Sequence, residues 1–541
     1  MISYKHKLPA MHVDGRNNGT YNNEELVMPG VLTTTDPRLG QFLHGLHNIV
    51  ADDRRLVFID GKKLGCSLNW IRDHVHQMKA FKHWESDMRS FLDFIIDTQR
   101  DDGMFYELIK QLDDGHWQFV SPACRKIYNE DNVALVRLEI ESDIEYLVVE
   151  GAMQVFRVTG NTVWLSAILP KLERGIDYMT SSPDRWDPDH GLCKRGTTID
   201  TWDFAYGVPN NNRRIEKTTP MSIHHGDNTG VYQAMQMLAW MNRRLGYDYK
   251  AAVWEDRAEK LRQNIMRYLW NGTYFIHMLP LNHTGVDDNE AMRLSLSNSY
   301  ALNRGILTLA EKRSIVEEYM RRRKTTDAFA EWFSIDPPYP DFNGNKPGHY
   351  VNGAISPFTA GELAKGAFSC GYESYGWDIL SRCMEMFERD GSIYFLYDPI
   401  TQQRQGGGPS GWGAAALLSA IDEGLAGIED MDFGYRHIRF SPRFPVTPYR
   451  ELRYITGYEK TDTVVDLRWI WTEEGMRYTL TSPAETVDCH IYLPDGYAAT
   501  GITVNGAAVD YILSMVGTSH YVDFTVTAHG KVDMELVLQK Q

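Results

Sequence analysis

Cysteine is scarce in this sequence, and the few cysteines present are scattered. None of the six forms a C-x-x-C pair or another regular spacing, so the sequence predicts neither a zinc site nor a disulfide framework. No apolar run approaches the ~20 residues that a membrane helix needs. The first twenty residues also lack the apolar core of a signal peptide. We therefore expect a cytoplasmic protein with no membrane partner.

Positive charge is also in short supply. The formal net charge is −16, and the longest basic run is the four residues 321–324. A phosphate backbone needs a basic face, so nucleic acid is not expected as a partner. A neutral ligand such as a sugar fits this charge balance. Aromatic residues reach 12%, with 14 Trp and 29 Tyr, which suits a ligand cleft but also a large core.

Two kinds of periodicity divide the chain. From Pro37 onward, apolar residues recur every three to four positions over roughly a dozen segments, without any fixed-period repeat. Near Asp432 the pattern changes to strict alternation between turn residues. We predict a mainly α chain with an extended arm or short strands over 1–36, a helical domain over 37–431 and an antiparallel β-sandwich over 432–541.

The stretch 194–228 holds the densest set of candidate site residues. Its Gly, Pro and Asn content predicts a loop. Asp200 and Asp203 lie on either side of Trp202, and a carboxyl beside an indole can have the raised pKa that a general acid needs. The structural alternative is that Asp200 caps a turn and Asp203 pairs with a neighbouring arginine.

Paired imidazoles follow in the same stretch. His224, His225 and Asp227 could suggest a metal site, but their spacing matches no common zinc pattern, and we predict no metal and no cofactor. We interpret them instead as groups that bind sugar hydroxyls, with Asp227 or Asn228 as a possible helix N-cap.

The segment WIRDH near the N-terminus is a second candidate. Arg72 and Asp73 at a helix start could hold sugar hydroxyls while Trp70 stacks on the ring, and His74 lies beside them. An ordinary ion pair next to a buried indole explains the same residues equally well.

Two later segments complete the candidate set. Glu331 beside Trp332 is a second carboxylate in an aromatic loop, which an inverting glycosidase would need in addition to the acid. Asn352 precedes one helix, and Trp412 opens another after a glycine run that allows close approach of a ligand to the backbone.

Several of these segments resemble the six-hairpin glycosidases. This (α/α)6-barrel superfamily includes trehalase, glucoamylase, bacterial α-L-rhamnosidases and relatives of mannosyl-oligosaccharide glucosidase. WIRDH resembles the Trp-x-Arg-Asp element of the innermost sugar subsite, and YVNGAISPFTAGELAKGAFSCG resembles the segment before a late barrel helix. GPSGWGAAALLSAIDEGLAGI resembles the Gly-Trp segment that opens the final helix, and RFSPRFP with the β tail resembles the rhamnosidase-type sandwich.

The resemblance implies an (α/α)6 toroid that hydrolyses a glycosidic bond with inversion. In these families the acid lies in the central long loop, which corresponds here to Asp203 first and Asp200 second. The base is usually a Glu shortly before the Gly-Trp segment, but that stretch contains no Glu and its only carboxylate is Asp398. The base is therefore expected to be Glu331 first and Asp398 second.

The missing Glu leaves other functions open. Phosphate could replace the activated water in an inverting phosphorylase, which needs no base. The barrel could also be a catalytically decayed carbohydrate-binding protein or, on the same scaffold, a polysaccharide lyase. In each case the expected partner is an oligosaccharide or glycoside, and the sequence does not indicate an oligomeric state.

Overall fold

We describe the chain from a computed structural model over residues 32–200, 202–208 and 213–541. Most of the arm predicted over 1–36 lies outside these residues. Within it, Thr33–Thr34 forms a strand that pairs with a strand near the C-terminus, Glu451–Tyr458. The three-part domain division stays a prediction.

Twelve α-helices lie in the described part of the chain. Their bounds are α1 Pro37–Asp52, α2 Ile71–Phe81, α3 Ser90–Asp97, α4 Ile144–Thr159, α5 Thr162–Met179, α6 His225–Arg244, α7 Asp248–Leu269, α8 Ser297–Ala301, α9 Leu309–Thr325, α10 Pro357–Phe368, α11 Glu373–Asp390 and α12 Gly411–Ser419, which continues as a π-helical turn, Ala420–Leu425. The even-numbered helices pack side by side in chain order, and α12 returns to α2, so they close a ring. The odd-numbered helices surround it.

Burial follows this division into inner and outer helices. Every residue of inner helix α12 is buried, since its sequence GWGAAALLS has only small or apolar side chains. Outer helix α7 instead buries one stripe, with Ala251, Trp254, Ala258 and Leu261 at spacings of three and four. The sequence of each helix therefore fixes whether it lies inside the ring or around it.

Short strands lie in the connections between the helices. In chain order they are β1 Thr33–Thr34, β2 Arg54–Ile59, β3 Lys62–Ser67, β4 Leu108–Gln111, β5 Arg125–Tyr128, β6 Val133–Val136, β7 Trp186–Asp187, β8 Leu192–Cys193, β9 Arg195–Gly196, β10 Met221–His224, β11 Met278–Pro280, β12 Leu294–Ser295, β13 Ile335–Asp336, β14 Tyr394–Tyr397 and β15 Arg404–Pro409. Most form two- or three-stranded sheets, such as β2–β3 and β4–β6–β5.

The C-terminal region consists of two sheets. Its strands are β16 Ile428–Asp430, β17 His437–Phe440, β18 Glu451–Tyr458, β19 Thr463–Trp471, β20 Gly475–Ser482, β21 Thr486–Leu493, β22 Tyr497–Val504, β23 Ala507–Ala508, β24 Ile512–Val516, β25 Ser519–Thr527 and β26 Gly530–Lys540. The sheet orders are β1-β18-β19-β20-β26-β22-β23 and β16-β17-β21-β25-β24. The rings of Phe440 and Tyr478 meet between them, 5.7 Å apart.

Two parts of the fold-class prediction were wrong. The chain is 39% helix and 27% strand, so it is not mainly α. The short strands in the connections between the helices contribute to the error, because runs of two to six residues are too short to show a strand period. The C-terminal region is also not purely antiparallel, because β17 and β21 run parallel.

Three negative findings apply to the described residues. No helix there has the length and apolarity to cross a membrane. No group of three or more His, Cys, Asp and Glu side chains is placed to hold a metal ion. All six cysteines are buried free thiols, and burial raises the pKa of Cys66 to about 11.

Candidate active site

The six inner helices all begin at one end of the ring, which we name the mouth. Arg72 at the start of α2 bonds Asp143 just before α4, whereas Lys82 just after α2 bonds Glu423 in the turn after α12. Helix starts therefore meet starts and ends meet ends, so these helices run in the same direction. Their partial positive N-terminal charges point into the mouth, where they favour carboxylates.

Arg72 is committed to the protein rather than free for a sugar. Its guanidinium donates to both carboxylate oxygens of Asp143, at 2.5 and 2.8 Å, and also to Glu141. All three side chains are buried. The structure therefore does not pair Arg72 with Asp73 as the sugar clamp that WIRDH suggested. Trp70 lies at the N-cap position of α2 and is partly buried.

A cavity of about 870 Å³ opens at the mouth, and we name it the mouth cavity. Exposed residues of α1 such as His44 line its outer part, and Asp73, Phe395 and Trp412 line its inner part. Asp73 is half-buried there, and no side chain in the described ranges bonds its carboxylate. The surrounding protein withholds water from this carboxyl and raises its pKa to about 7.

Asp203 lies close to this cavity without lining it. Its side chain is 32% exposed, and a carboxylate oxygen is 3.7 Å from Nη2 of Arg213. The pairing with an arginine, left open by the sequence, is thus present as a long contact. Burial raises the pKa of the Tyr350 hydroxyl to about 12, and the charges of both Asp203 and Asp73 raise it further. The two carboxylates therefore act on the same hydroxyl group.

An aromatic cluster joins the Asp203 loop to the mouth cavity. The ring of Trp202 meets Phe395 edge-on, with centroids 5.5 Å apart, and is also 5.5 Å from Tyr350. Phe358 stacks on Trp412 at 4.7 Å. Phe395 belongs to β14, in the stretch from which the family resemblance implies the base. At the mouth, β14 thus contributes an aromatic ring in place of a carboxylate, which the alternating run IYFLY could have indicated.

Trp412 forms the floor of the mouth, whereas His74 points away from it. Nε1 of Trp412 donates to the Tyr300 hydroxyl at 2.6 Å, and the His76 ring stacks on the indole at 4.2 Å. His74 packs against the ring of Phe91, near α3 on the outside of the ring. His74 therefore does not line the mouth cavity, and it is His76, three residues after Asp73, that lies on the same face of α2 as Asp73.

Asp200 is buried and bonded, with only 1% of its surface exposed. It accepts a hydrogen bond of 2.6 Å from the Ser297 hydroxyl at the start of α8. Its backbone N–H donates to Nε2 of His277 at 3.1 Å. These contacts attach the central loop to the ring and leave no carboxylate oxygen directed into the mouth cavity.

The two histidines and Asp227 of the central stretch are also buried. Nδ1 of His225 bonds the carbonyl of Ile276 at 2.9 Å, and burial lowers its pKa to about 4. Burial likewise lowers the pKa of His224. Asp227 is 3.4 Å from the guanidinium of Arg195. These residues support the mouth from below, and none lines the mouth cavity.

The prediction that this stretch is loop throughout was wrong, because α6 already begins at His225. The N-cap is His224, and neither Asp227 nor Asn228 caps the helix. The misleading signal was Gly226. A Cβ there would lie 2.3 Å from the Ser297 hydroxyl, so this glycine permits close packing of two helix starts and does not mark a turn.

Glu331 lies between outer helices instead of at the mouth. Arg382 of α11 donates to both of its oxygens at 2.8 and 2.9 Å, and the Tyr375 hydroxyl donates at 2.6 Å. The same guanidinium lies 4.3 Å above the ring of Trp332. Glu331 and Trp332 are both fully buried. This position argues against Glu331 as a base and against Trp332 as a sugar platform.

Asp398 and Asn352 hold turns together. The Asp398 carboxylate accepts from the backbone amides of Ile400 and Thr401, at 3.0 and 2.7 Å, in the turn between β14 and β15. Asn352 exchanges two hydrogen bonds of 2.8 Å with the backbone of Tyr339. Neither residue lines the mouth cavity.

A second cavity lies at the opposite end of the ring, which we name the far end. Its volume is about 930 Å³, and it separates α10 from the five-stranded sheet. Its lining includes Lys365, Glu423 and Asp523. None of the candidate residues from the sequence lines it, so size alone does not locate the site.

The family described as mannosylglycerate hydrolase MGH1-like glycoside hydrolase domain matches residues 68–413, well over half of the chain. No curated protein matches the chain. The match includes the mouth cavity residues from Leu68 to Trp412 and the loop that carries Asp203.

Solved structures resemble the fold at low sequence identity. An α-L-rhamnosidase from Dictyoglumus thermophilum gives a TM-score of 0.59 at 12% identity, over 94% of this chain and 50% of that one. An α-L-rhamnosidase from Streptomyces avermitilis gives 0.56 at 14%, over 94% and 42%. A mannosylglycerate hydrolase from Thermus thermophilus gives 0.50 at 15%, over 70% and 98%. This chain thus spans half or less of the length of these rhamnosidases. The resemblance to six-hairpin glycosidases is confirmed.

Proposed function

This chain belongs to the family of mannosylglycerate hydrolase MGH1-like glycoside hydrolase domains, and from that premise we propose that it is an exo-acting glycosidase. The proposed substrate is a glycoside or short oligosaccharide, from which the enzyme removes the terminal sugar. The family supports cleavage of a glycosidic bond, and the shape of the mouth supports cleavage at the end of a chain.

The closed floor of the mouth is the argument for exo action. Trp412, His76 and Tyr300 contact one another across it. Deeper in the ring, Lys79 bonds Glu362 at 2.5 Å. The ring is thus closed along its axis, and this supports our proposal that a sugar chain enters the mouth by its end.

The observation that carries the catalytic proposal is the position of Asp203. It is a partly exposed carboxylate at the mouth, and its neighbour Trp202 is buried in the aromatic cluster. In the proposed reaction its carboxyl gives a proton to the glycosidic oxygen as the bond to the anomeric carbon breaks. Water attacks that carbon from the opposite face, and the configuration inverts.

The position of Phe395 supports a second candidate function. Because β14 brings an aromatic ring to the mouth where the base was expected, a mechanism without a base fits this wall. In an inverting phosphorylase, phosphate attacks the anomeric carbon directly, and a sugar 1-phosphate is released. Dependence of turnover on inorganic phosphate distinguishes this reaction from hydrolysis.

The test is a substrate screen on the whole chain. Nitrophenyl glycosides, natural disaccharides and sugar glycerates are incubated with and without phosphate, and NMR follows the anomer released first. We expect hydrolysis of a terminal sugar, without phosphate and with inversion. A retained anomer would exclude the inverting mechanism, and tight sugar binding with no turnover would indicate a carbohydrate-binding protein.

A further inference from the structure

We propose that Asp73 is the second catalytic carboxylate and removes the proton from the attacking water. This inference rests on the proposed function, since it needs an inverting hydrolase with Asp203 as the acid. It gives Asp73 a role other than the sugar binding that its sequence motif suggested. It also supplies the base that the stretch before Trp412 does not contain.

The first argument is that the neighbouring carboxylates are occupied. Asp143 and Glu141 accept the guanidinium of Arg72. Asp53 accepts from the side-chain amide of Gln77 and from a backbone amide of α12, at 2.9 and 3.1 Å. Asp143 and Glu141 are buried ion-pair partners, so proton transfer to them would weaken an ion pair of the fold. Asp53 lines the mouth cavity, but both of its bonds are accepted by Oδ2, and proton transfer to this carboxylate would weaken them.

The other carboxylates that the sequence suggested for catalysis are bonded to the protein in the same way. Glu331 is bound by Arg382, Asp398 by backbone amides, and Asp200 by Ser297. Asp73 differs from all of them. Within the described ranges no side chain donates to it, and its carboxylate faces the mouth cavity.

The second argument is the location of Asp73 on its helix. It lies in the first turn of α2, an eleven-residue helix whose N-terminus points into the mouth. Phe395 and Trp412 line the same inner part of the cavity. Asp52 and Asp53 line the cavity too, but Asp52 is exposed at the end of outer helix α1, and Asp53 accepts bonds from Gln77 and α12. We therefore assign the orientation of the attacking water to Asp73.

The third argument concerns the relation of Asp73 to the proposed acid. Both carboxylates act on the Tyr350 hydroxyl, and Asp203 also raises the pKa of Arg72, the residue next to Asp73. Inverting glycosidases need two carboxyl groups about 6.5–9.5 Å apart, with room for a water between them. A sugar held against Tyr350 would be within reach of both groups.

The proton balance of the proposed step is complete. The water oxygen bonds to the anomeric carbon, and one water proton passes to Asp73. The bond from that carbon to the glycosidic oxygen breaks, and this oxygen takes the proton of Asp203. After product release, Asp73 loses its proton to solvent and Asp203 regains one.

The charges around Asp73 make the step dependent on pH. Arg72 on its own helix favours the ionised form, whereas Asp53 after α1 and Asp143 before α4 disfavour it. Tyr350 faces it from the loop before α10. Burial is the largest effect and raises the pKa of Asp73 to about 7. A base must be ionised, so on a glycoside whose leaving group needs no acid, kcat/KM of the wild type should rise as the pH increases through about 7.

The experiment compares Asp73→Asn with Asp422→Asn. Asp422 has a similarly raised pKa, about 7, but lies at the far end of the ring. Each variant and the wild type are assayed from pH 4 to 9 on the disaccharide or sugar glycerate that the screen selects and on the dinitrophenyl glycoside of the same sugar, whose leaving group needs no acid. We expect Asp73→Asn to lose at least about 100-fold in kcat on both substrates and to lose the rise near pH 7. Asp422→Asn should keep the wild-type kcat and the rise near pH 7.

A second variant separates catalysis from positioning. In Asp73→Gly, azide fits the vacated space and attacks the anomeric carbon, so added azide should restore turnover and yield an inverted glycosyl azide. A sugar-binding role predicts a higher KM, a pH profile with its rise intact and no effect of azide, and that result would overturn the inference. Absence of wild-type hydrolysis on every glycoside would instead contradict the proposed function itself.

Discussion

The two ends of the helical ring treat buried charge differently. At the far end, Lys82 and Lys365 both bond Glu423, and the Tyr454 hydroxyl donates to Asp422 at 3.0 Å. At the mouth, Asp73 accepts no side-chain hydrogen bond within the described ranges. The mouth also contains satisfied ion pairs, such as that of Arg72 with Asp143, but there Asp73 is left without a side-chain donor among the described residues.

Asp73 and Asp422 make the comparison specific. Burial raises the pKa of each to about 7, so the pKa alone does not distinguish a catalytic group from a structural one. The surroundings do, because Asp422 is bonded within the core and Asp73 faces a cavity. A buried charge without a partner destabilises the fold, and such groups occur at functional sites for that reason.

The largest effect is expected at the mouth, from Asp203→Asn. The variant cannot donate a proton, so kcat/KM on the natural substrate should fall by about 10²–10⁴-fold. On a dinitrophenyl glycoside the loss should be much smaller, since that leaving group departs unprotonated. Steady-state rates on the two substrates measure this difference. Asp184→Asn, at an exposed position, is the matched control. An equal loss on both substrates would contradict the acid role.

At the far end of the ring, the expected effect of a substitution is on stability. Lys82 is 4% exposed, and Lys82→Met leaves Glu423 with one ammonium partner instead of two. Breaking a buried pair in this way should lower the free energy of unfolding by about 3 kcal/mol. Urea titration measures the change, and kcat of the folded variant should match the wild type.

Lys260→Met provides the control for that experiment. Its ion pair with Asp256 is largely exposed, so its loss should hardly alter stability. A fall in kcat of Lys82→Met as large as that of a mouth variant would remove the functional distinction between the two ends.

The smallest effect concerns stability against pH at the mouth. The folded pKa of Asp73 lies above its unfolded value of ~3.9, so the folded state holds a proton that the unfolded state releases between about pH 4 and 7. The contribution of Asp73 to stability should therefore decline across that window and change no further above it. Asp73→Asn lacks this decline. A shift of about three pKa units corresponds to ~4 kcal/mol, but the half-buried carboxyl keeps part of its contact with solvent, so we expect a gain of about 1–2 kcal/mol relative to wild type between pH 4 and 8. Denaturant titrations at both pH values test it, and a variant that loses stability at pH 8 would refute the assignment.

Much of the ring could be predicted from sequence because helix period is a local signal. The segments around α4, α5 and α7 carry apolar stripes that the structure shows buried. Many of the short strands could not be predicted in this way, because runs of two to six residues carry little periodicity of their own, and some are stabilised by partners distant in the chain. In β10, for example, Ser222 pairs with both Arg195 and Pro280.

The site was harder to predict for a related reason. Whether a carboxylate is catalytic or structural depends on what bonds it, and those partners lie far along the chain. Glu331 is bound by an arginine 51 residues away, and Arg72 by an aspartate 71 residues away. Local composition selected Glu331 because it lies beside Trp332, but the indole packs under Arg382.

The most direct test compares the carboxylate at the mouth with the one between the outer helices. kcat/KM of Asp203→Asn and Glu331→Gln is measured on one substrate, with the folded fraction of each variant determined by circular dichroism. We predict a loss of about 10²–10⁴-fold for Asp203→Asn and a change within about threefold per folded molecule for Glu331→Gln. A folded Glu331→Gln without activity, beside an active Asp203→Asn, would contradict the account.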